Sequence, residues 1–268
     1  MKKILSYIVM AFFGVSVATT LPGFAQDNDI DEDDAFLNGF EYENIQEESG
    51  LKPYRILGVG YNANFLMNDL DDFNAIASEK LGLGEIKTPI YLNSYDFILS
   101  IEPMKNFYLG FSRGIGSKSV DKQLSGTLDG YKRSLKYGVS YTDLELGWSF
   151  VPMRKFAIQP AVNVGLTNLN IETYQTVDSE EYNDFFTNDD ANQYYRKMNG
   201  YFISVEPHIA LQYKVVSNVM IRGTVGYRIN MSPDWKMNFD SDLSNVPDEH
   251  KPNGLIAKVG LYLGIIEF

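Results

Sequence analysis

The sequence predicts an all-β fold: an eight-stranded antiparallel up-and-down transmembrane β-barrel. Three observations carry this. After residue 50 the chain falls into segments in which apolar and polar residues alternate. The connections between those segments run long, short, long, short, long, short, long. Aromatic residues make up 14 % of the chain, with 18 Tyr and 17 Phe, and they gather near segment ends. A two-residue period marks a strand with one apolar face. Regularly alternating loop lengths and aromatic girdles are the rhythm of membrane barrels.

The eight segments are 53–66, 91–102, 106–116, 134–150, 156–170, 201–215, 219–230 and 255–268. The clearest is 201–215. Its odd positions run Tyr201, Ile203, Val205, Pro207, Ile209, Leu211, Tyr213 and Val215; its even positions include Ser204, Glu206, His208, Gln212 and Lys214. Such a run is far longer than the usual five or six residues of a globular strand. Only Val216-Ser217-Asn218 separates it from 219–230, so the two form a hairpin. Elsewhere the apolar face carries Leu57, Val59, Tyr61, Phe65, Phe97, Leu99, Leu109, Phe111, Leu146, Trp148, Phe150, Ile158, Val162 and Val164. An eight-stranded interior is only just wide enough to be filled by side chains. The apolar face therefore points to lipid. The short turns are then periplasmic and the long loops extracellular.

Two features need accommodation. In 134–150 the apolar positions are odd from Leu135 to Tyr141 and even from Leu144 to Phe150, which predicts a β-bulge near Thr142-Asp143. Pro160 and Pro207 lie inside adjacent segments, where a missing N–H predicts local bulges as well. In loop 67–90, Leu70, Phe73, Ile76, Ala77 and Leu81 recur at helical spacing and predict a short helix.

The N-terminus reads as a secretory signal peptide over 1–25: Lys2 and Lys3, an apolar run from Ile4 to Ala18, and small residues at Gly23 and Ala25. Residues 26–50 carry ten carboxylates and no Lys or Arg, which predicts a disordered acidic leader in the periplasm. From residue 51 onward, the barrel domain 51–268, the balance is 25 acids to 21 bases. Nothing here suits nucleic-acid binding. The absence of cysteine excludes disulfides, thiolate metal sites and a Cys nucleophile. The leader's DNDIDEDD lacks the loop glycine and distal Glu of an EF-hand, so no metal site and no cofactor is expected.

The inward face collects Asp96, Glu145, Glu206, His208, Lys214, Arg222, Arg228 and Lys258. Charges inside a closed barrel must be paired, so these read as an interior charge network that fills the lumen. Ser204 and Glu206 share the face of His208, but a catalytic triad needs a base touching a nucleophile where substrate can reach it. No catalytic residue is assigned. Loop 171–200 holds Tyr174, Tyr182, Phe185, Phe186, Tyr194 and Tyr195 among acids, either a candidate surface for an extracellular ligand or a set of rings that packs over the barrel mouth.

A closed barrel pairs its last strand with its first, and the chain ends within a strand-like run. That ending, Lys258 to Phe268, resembles the C-terminal assembly signal of bacterial outer-membrane barrels: a final aromatic preceded by apolar residues at alternate positions. Tyr262, Ile266 and Phe268 match, whereas Gly264 departs from the pattern. The other register, Val259, Leu261, Leu263 and Ile265, is the more apolar, so the lipid-facing side of this strand stays open. Residues 51–268 resemble the small eight-stranded outer membrane protein β-barrel domain family. The resemblance implies residence in the outer membrane, contact with its lipid, insertion by the barrel-assembly machinery through the C-terminal strand, and a monomer. It implies no single activity. A structural or surface-interaction role without catalysis is expected. The alternatives are a narrow channel or a component of a secretion or transport assembly and, further off, a lipid-acting enzyme.

Overall fold

The computed structural model describes residues 54–101, 104, 106–177, 191–238 and 241–268. The predicted signal peptide and the acidic leader lie outside the described residues. So do Tyr182, Phe185 and Phe186.

Eight long strands form the body: β1 Arg55–Asn68, β2 Ile90–Ser100, β3 Phe107–Gln123, β4 Tyr131–Trp148, β5 Phe156–Val177, β6 Tyr194–Val216, β7 Val219–Met237 and β8 Gly254–Glu267. Each pairs antiparallel with its sequence neighbour, and β8 pairs with both β7 and β1, which closes the ring. Two short segments, Phe150–Met153 and Ser241–Asp242, extend β5 and β7. Following paired residues around the ring from Ile221 through Leu261, Tyr61, Tyr95, Arg113, Thr142, Leu166 and Ile203 leads back to β7 at Met231. The walk gains ten residues along β7, the stagger of a barrel with steeply tilted strands.

The outward side is apolar over a band. On β8, Val259, Leu261, Leu263 and Ile265 are 50–61 % exposed, whereas Tyr262 and Ile266 are 1 % and 3 % exposed. This settles the facing of the last strand: the more apolar register looks outward, and Tyr262, Ile266 and Phe268 look inward. On the opposite side of the barrel the apolar band stops at Ile115 on β3, and Ser117, Ser119 and Asp121 follow it outward. Outward apolar residues give way likewise to Ser140 and Lys136 on β4 and to Asn168, Asn170 and Glu172 on β5. A membrane strand needs about 9–11 residues, yet β5 has 22 and β6 has 23. The wall from β3 to β7 therefore stands well clear of the lipid band. Most of 117–133, much of 171–200 and the first part of 231–254 were expected as loop but are strand. The alternation expected of a lipid-spanning strand ends at the membrane surface, while the ladder of backbone hydrogen bonds continues.

No bulge interrupts β4. Its pairing with β3 and with β5 is continuous, and odd residues face inward from Leu135 to Gly147. The change of phase is a change in what fills the barrel: Leu135, Tyr137, Val139 and Tyr141 are buried inside rather than turned to lipid. Nor do the prolines shift the register, since Pro160 pairs opposite Ile209 and Pro207 opposite Val162 in one unbroken series. Both side chains point outward, and each proline omits one hydrogen bond without displacing its strand. A bulge does occur on β7, where Tyr201 faces Asp234 but Ile203 faces Met231, with Ser232 at φ 52° taking up the extra residue, and the same pairing shifts again between Lys214 and Val216 at the turn.

The expected helix is α1, Asp71–Leu81, closed by Gly82 in the left-handed conformation (φ 65°). It folds back over the barrel mouth. Leu70, Ala77, Leu83 and Ile86 join Leu66, Ile90, Leu92, Tyr137, Leu169, Phe202, Trp235 and Ile256 in one buried apolar cluster. Ile76 alone of the periodic set faces solvent. Asn74 clamps the returning chain through both its amide groups to the backbone of Ile86, at 2.9 and 3.1 Å. Three cations on the inner side of the tall wall bind the carbonyls at the helix C-terminus and beyond: Arg133 to Leu81 (2.7 Å), Lys122 to Gly82 (3.0 Å) and Lys118 to Lys87 (2.5 Å). Positive charge is favourable at that end of a helix.

Candidate functional site: the layered barrel interior

The lumen is filled in three layers, and each follows from which residues take the inward positions. At the extracellular end is the apolar plug just described. At the periplasmic end is a second apolar cluster, with Tyr54, Ile56, Ile98, Tyr108, Val151, Met220, Tyr262, Ile266 and Phe268. Tyr54 stacks on Phe268 with centroids 5.4 Å apart. Beside it runs an amide chain in which Tyr54 donates to Gln212 (2.8 Å), Gln212 to Gln159 (2.7 Å) and Gln159 to Ser149 (2.7 Å).

Between the two apolar layers sit the charges. Asp96, Glu145, Glu206, His208, Arg222, Arg228 and Lys258 are all at most 8 % exposed, and they fall into linked nodes. In the first, Arg222 pairs with both oxygens of Glu145, one contact measuring 3.1 Å. Tyr108 donates to the same carboxylate at 2.7 Å, and His208 Nε2 lies 3.1 Å from it. In the second, Glu206 receives Arg228 (2.8 Å through Nε), Lys258 (2.5 Å) and Asn163 (3.0 Å). Arg228 continues to Asp143 and, at 3.1 Å, to Thr167. Asp96 accepts Tyr262 at 2.7 Å and Ser94 at 3.1 Å. Tyrosine rings insulate the cations: Tyr141 lies 4.1 Å from the Arg228 guanidinium and 5.4 Å from the Lys258 ammonium.

The predicted network thus comes together except for Lys214. That residue sits at the periplasmic rim, with its ammonium 3.1 Å from the Phe268 carbonyl and 5.3 Å from its ring. The structure adds Asp143, Tyr108, Tyr141, Tyr262 and Asn163. The supposed bulge hid Asp143 and Tyr141, since it placed them on either side of a parity change that does not occur. Unbroken odd parity from Leu135 to Gly147 was the signal that would have found them.

Chemically the cluster is closed in on itself. Ser204 donates to Asp143 at 3.3 Å, and His208 is held by Glu145 and by the Glu206 carbonyl (3.2 Å). Hydroxyl and imidazole on this strand are thus committed to different partners and do not form a nucleophile–base pair. Among the described residues no group of three or more His, Asp or Glu is arranged to hold a metal ion.

Close packing explains why the interior tolerates rings this large. Tyr262, Tyr141 and Tyr108 each lie across a glycine of the paired strand, at Gly60, Gly114 and Gly147. A Cβ on any of the three would fall within 2.3–2.4 Å of a ring carbon. At these three crossings the narrow barrel therefore needs glycine.

No protein-family model matches the chain, and no curated protein matches it. Solved structures with a similar fold do. A major outer membrane protein from Thermus thermophilus aligns with 78 % of this chain and 100 % of its own, at 8 % identity and a TM-score of 0.45. Ail, the attachment invasion locus protein of Yersinia pestis, covers 81 % of this chain and 100 % of its own, at 12 % identity and a TM-score of 0.34. OprG of Pseudomonas aeruginosa covers 82 % and 99 %, at 13 % identity and a TM-score of 0.34.

Proposed function

We propose that this protein is a closed, non-enzymatic barrel of the bacterial outer membrane whose work is done at its extracellular face, as a structural or surface-interaction protein. The observation that supports this is the three-layer filling of the lumen. An apolar plug, a paired charge layer and an apolar floor succeed one another along the axis, and each is buried. A water path for ions would have to cross both apolar layers. The part of the molecule left to meet a partner is the tall wall from β3 to β7, with Tyr174, Tyr194 and Tyr195 near the end of the β5–β6 hairpin. There they line a groove of about 420 Å³ with Gln175, Thr176 and Gln193. We further propose that the barrel is a monomer and that the strand ending in Tyr262, Ile266 and Phe268 is what the assembly machinery recognises. Its inward residues belong to the floor, so closing the barrel and completing the floor are one event.

The test is electrical. Mature protein is refolded in detergent, shown to be a folded barrel by its heat-dependent gel mobility, and inserted into a planar bilayer. No steady conductance is expected. Reproducible single-channel steps from folded protein would overturn it in favour of a narrow channel.

A further inference from the structure

We propose that the outer wall carries a docking groove for a phosphorylated glycolipid of the outer leaflet, with Arg113 as the anion-binding residue. The inference rests on the reading that the outward face meets outer-membrane lipid.

A cavity of about 340 Å³ opens on the outside of the wall, lined among others by Arg113, Ser140, Thr142, Asn168, Tyr201 and Asp234. Register explains the hollow. Arg113, Thr142, Leu166 and Ile203 are successive partners across β3 to β6, and Ser140, Asn168, Tyr201 and Asp234 form the adjacent row from β4 to β7. Short side chains at Ser140, Thr142 and Asn168 lie between the long ones at Arg113, Leu166 and Tyr201. The β7 bulge at Ser232 bounds the far side.

The level of the groove is defined by its neighbours. Leu144 and Val164 below it belong to the lipid band, at 62 % and 45 % exposure. Above it Ile115 is the last outward apolar residue of β3, and Ser117, Asn170 and Lys136 belong to the wall outside the membrane. The groove therefore straddles the boundary where headgroups sit.

Charge decides what would fill it. Arg113 projects from the lipid-facing side of β3, is exposed, and makes no hydrogen bond or ion pair among the described residues. Asp234, at the opposite rim, lies 3.8 Å from Lys236. An arginine on the lipid face of a barrel is unfavourable toward the bilayer centre and nearly neutral at the interface. A phosphate held in its fork would offset the charge bidentately. Phosphate alone does not explain the rest of the lining. The hydroxyls of Ser140 and Thr142 and the Asn168 amide suit sugar hydroxyls, and the Tyr201 ring offers a face for a sugar's C–H groups. The lining residues Leu166 and Ile203 and, below them, the exposed Leu144 and Val164 continue the site downward as a bed for acyl chains. Together these features select a phosphorylated sugar bearing acyl chains over a glycerophospholipid.

The test is native mass spectrometry of the full mature barrel in mild detergent. The probes are a diphosphoryl glucosamine glycolipid (lipid A) and, separately, phosphatidylglycerol. Each variant is first shown to be a folded barrel by heat-dependent mobility, so a failure of the fold reading registers separately from a failure of the groove. The expected result is one retained glycolipid per wild-type barrel, with retention at least about tenfold weaker in Arg113→Gln. Arg196→Gln, at the distant hairpin tip, should retain it unchanged. Equal retention by Arg113→Gln would overturn the site. Equal retention of phosphatidylglycerol by the wild type would overturn the glycolipid assignment.

Discussion

Arg222 and Glu145 meet fork to fork in the middle of the barrel, one from β7 and the other from β4, with one of the two contacts at 3.1 Å. Both side chains are at most 6 % exposed. Neither can reach water, so each is the other's main source of compensation. Removing one partner of such a pair is strongly destabilising, by about 3–5 kcal/mol, whereas replacing both with apolar residues of similar volume is near neutral. Glu145→Leu and Arg222→Met should therefore each lower the denaturant midpoint of the folded barrel sharply. Glu145→Leu combined with Arg222→Met should recover most of that loss. Urea titrations in lipid vesicles measure both, and additive losses in the double variant would contradict the pairing.

The tyrosine–glycine crossings make a second prediction. Gly114→Ala would put a methyl group 2.4 Å from carbons of the Tyr141 ring, which cannot move freely because it sits against Arg228 and its hydroxyl receives Asn64 at 2.8 Å. Overpacking of this kind costs about 1–3 kcal/mol. Gly223→Ala is the control, since nothing lies within 4 Å of the added carbon. The same titration should separate the two variants, and equal midpoints would show that the ring yields.

A third prediction concerns the plug and pH. His250, in the last extracellular loop, meets the Phe73 ring edge to face, with centroids 6.0 Å apart, and so ties that loop to α1. Burial pushes its pKa below the usual 6.5, and nearby Glu249 and Asp72 offset this only in part. A depressed histidine pKa means that the folded form binds the proton less readily than the unfolded one. Stability from this contact is thus present above about pH 6.5 and declines as pH falls below it. Amide exchange in α1 should speed up between about pH 7.5 and about pH 5.5 beyond the intrinsic rate change. His250→Asn should remove that extra acceleration; if it persists, another group is responsible.

The plug and the charge layer should also close the lumen independently. Replacing residues 70–86 by a short Gly/Ser linker removes α1 and, with Leu70, Ala77, Leu83 and Ile86, the part of the upper layer that caps the strand residues beneath it. Because the Glu206 node, the Glu145 node and the floor remain, this variant is expected to stay silent in a planar bilayer. Opening of the lumen on removing the plug alone would show that the two lower layers do not seal it.

The strand pattern was legible because lipid imposes it. Leu261 and Tyr262 are adjacent, yet one is 51 % exposed and the other 1 %, and strict alternation of this kind marks every strand within the apolar band. Where the strands leave lipid, that constraint ends. Ser117 to Gln123 and Thr173 to Val177 carry no apolar outward side, so they read as loop, although each is paired on a neighbour. The charged site was legible residue by residue because a polar side chain opposite an apolar one in a membrane strand has only the lumen to occupy. Its partners were not. Tyr141 and Asp143 sit where the interior changes from apolar to charged, and a change of filling looks in sequence like a change of face. The packing of α1 into the mouth brings Leu83 and Ile86 into one cluster with Tyr137, about fifty residues further along the chain, and so has no local signature.

The chain's two tryptophans test the central claim, an apolar outside around a sealed inside. Trp148 lies on the outer face of β4 at 44 % exposure; Trp235 lies inward on β7 at 7 %, edge-on to Phe202 with centroids 5.4 Å apart. The measurement is fluorescence quenching by lipids with brominated acyl chains, made on Trp235→Phe and Trp148→Phe refolded into vesicles. Strong quenching of Trp148 is expected in the first variant and little of Trp235 in the second. Quenching of Trp235 as strong as that of Trp148, or none of Trp148, would contradict the assignment of inside and outside on which the charge layer, the plug and the lipid groove all depend.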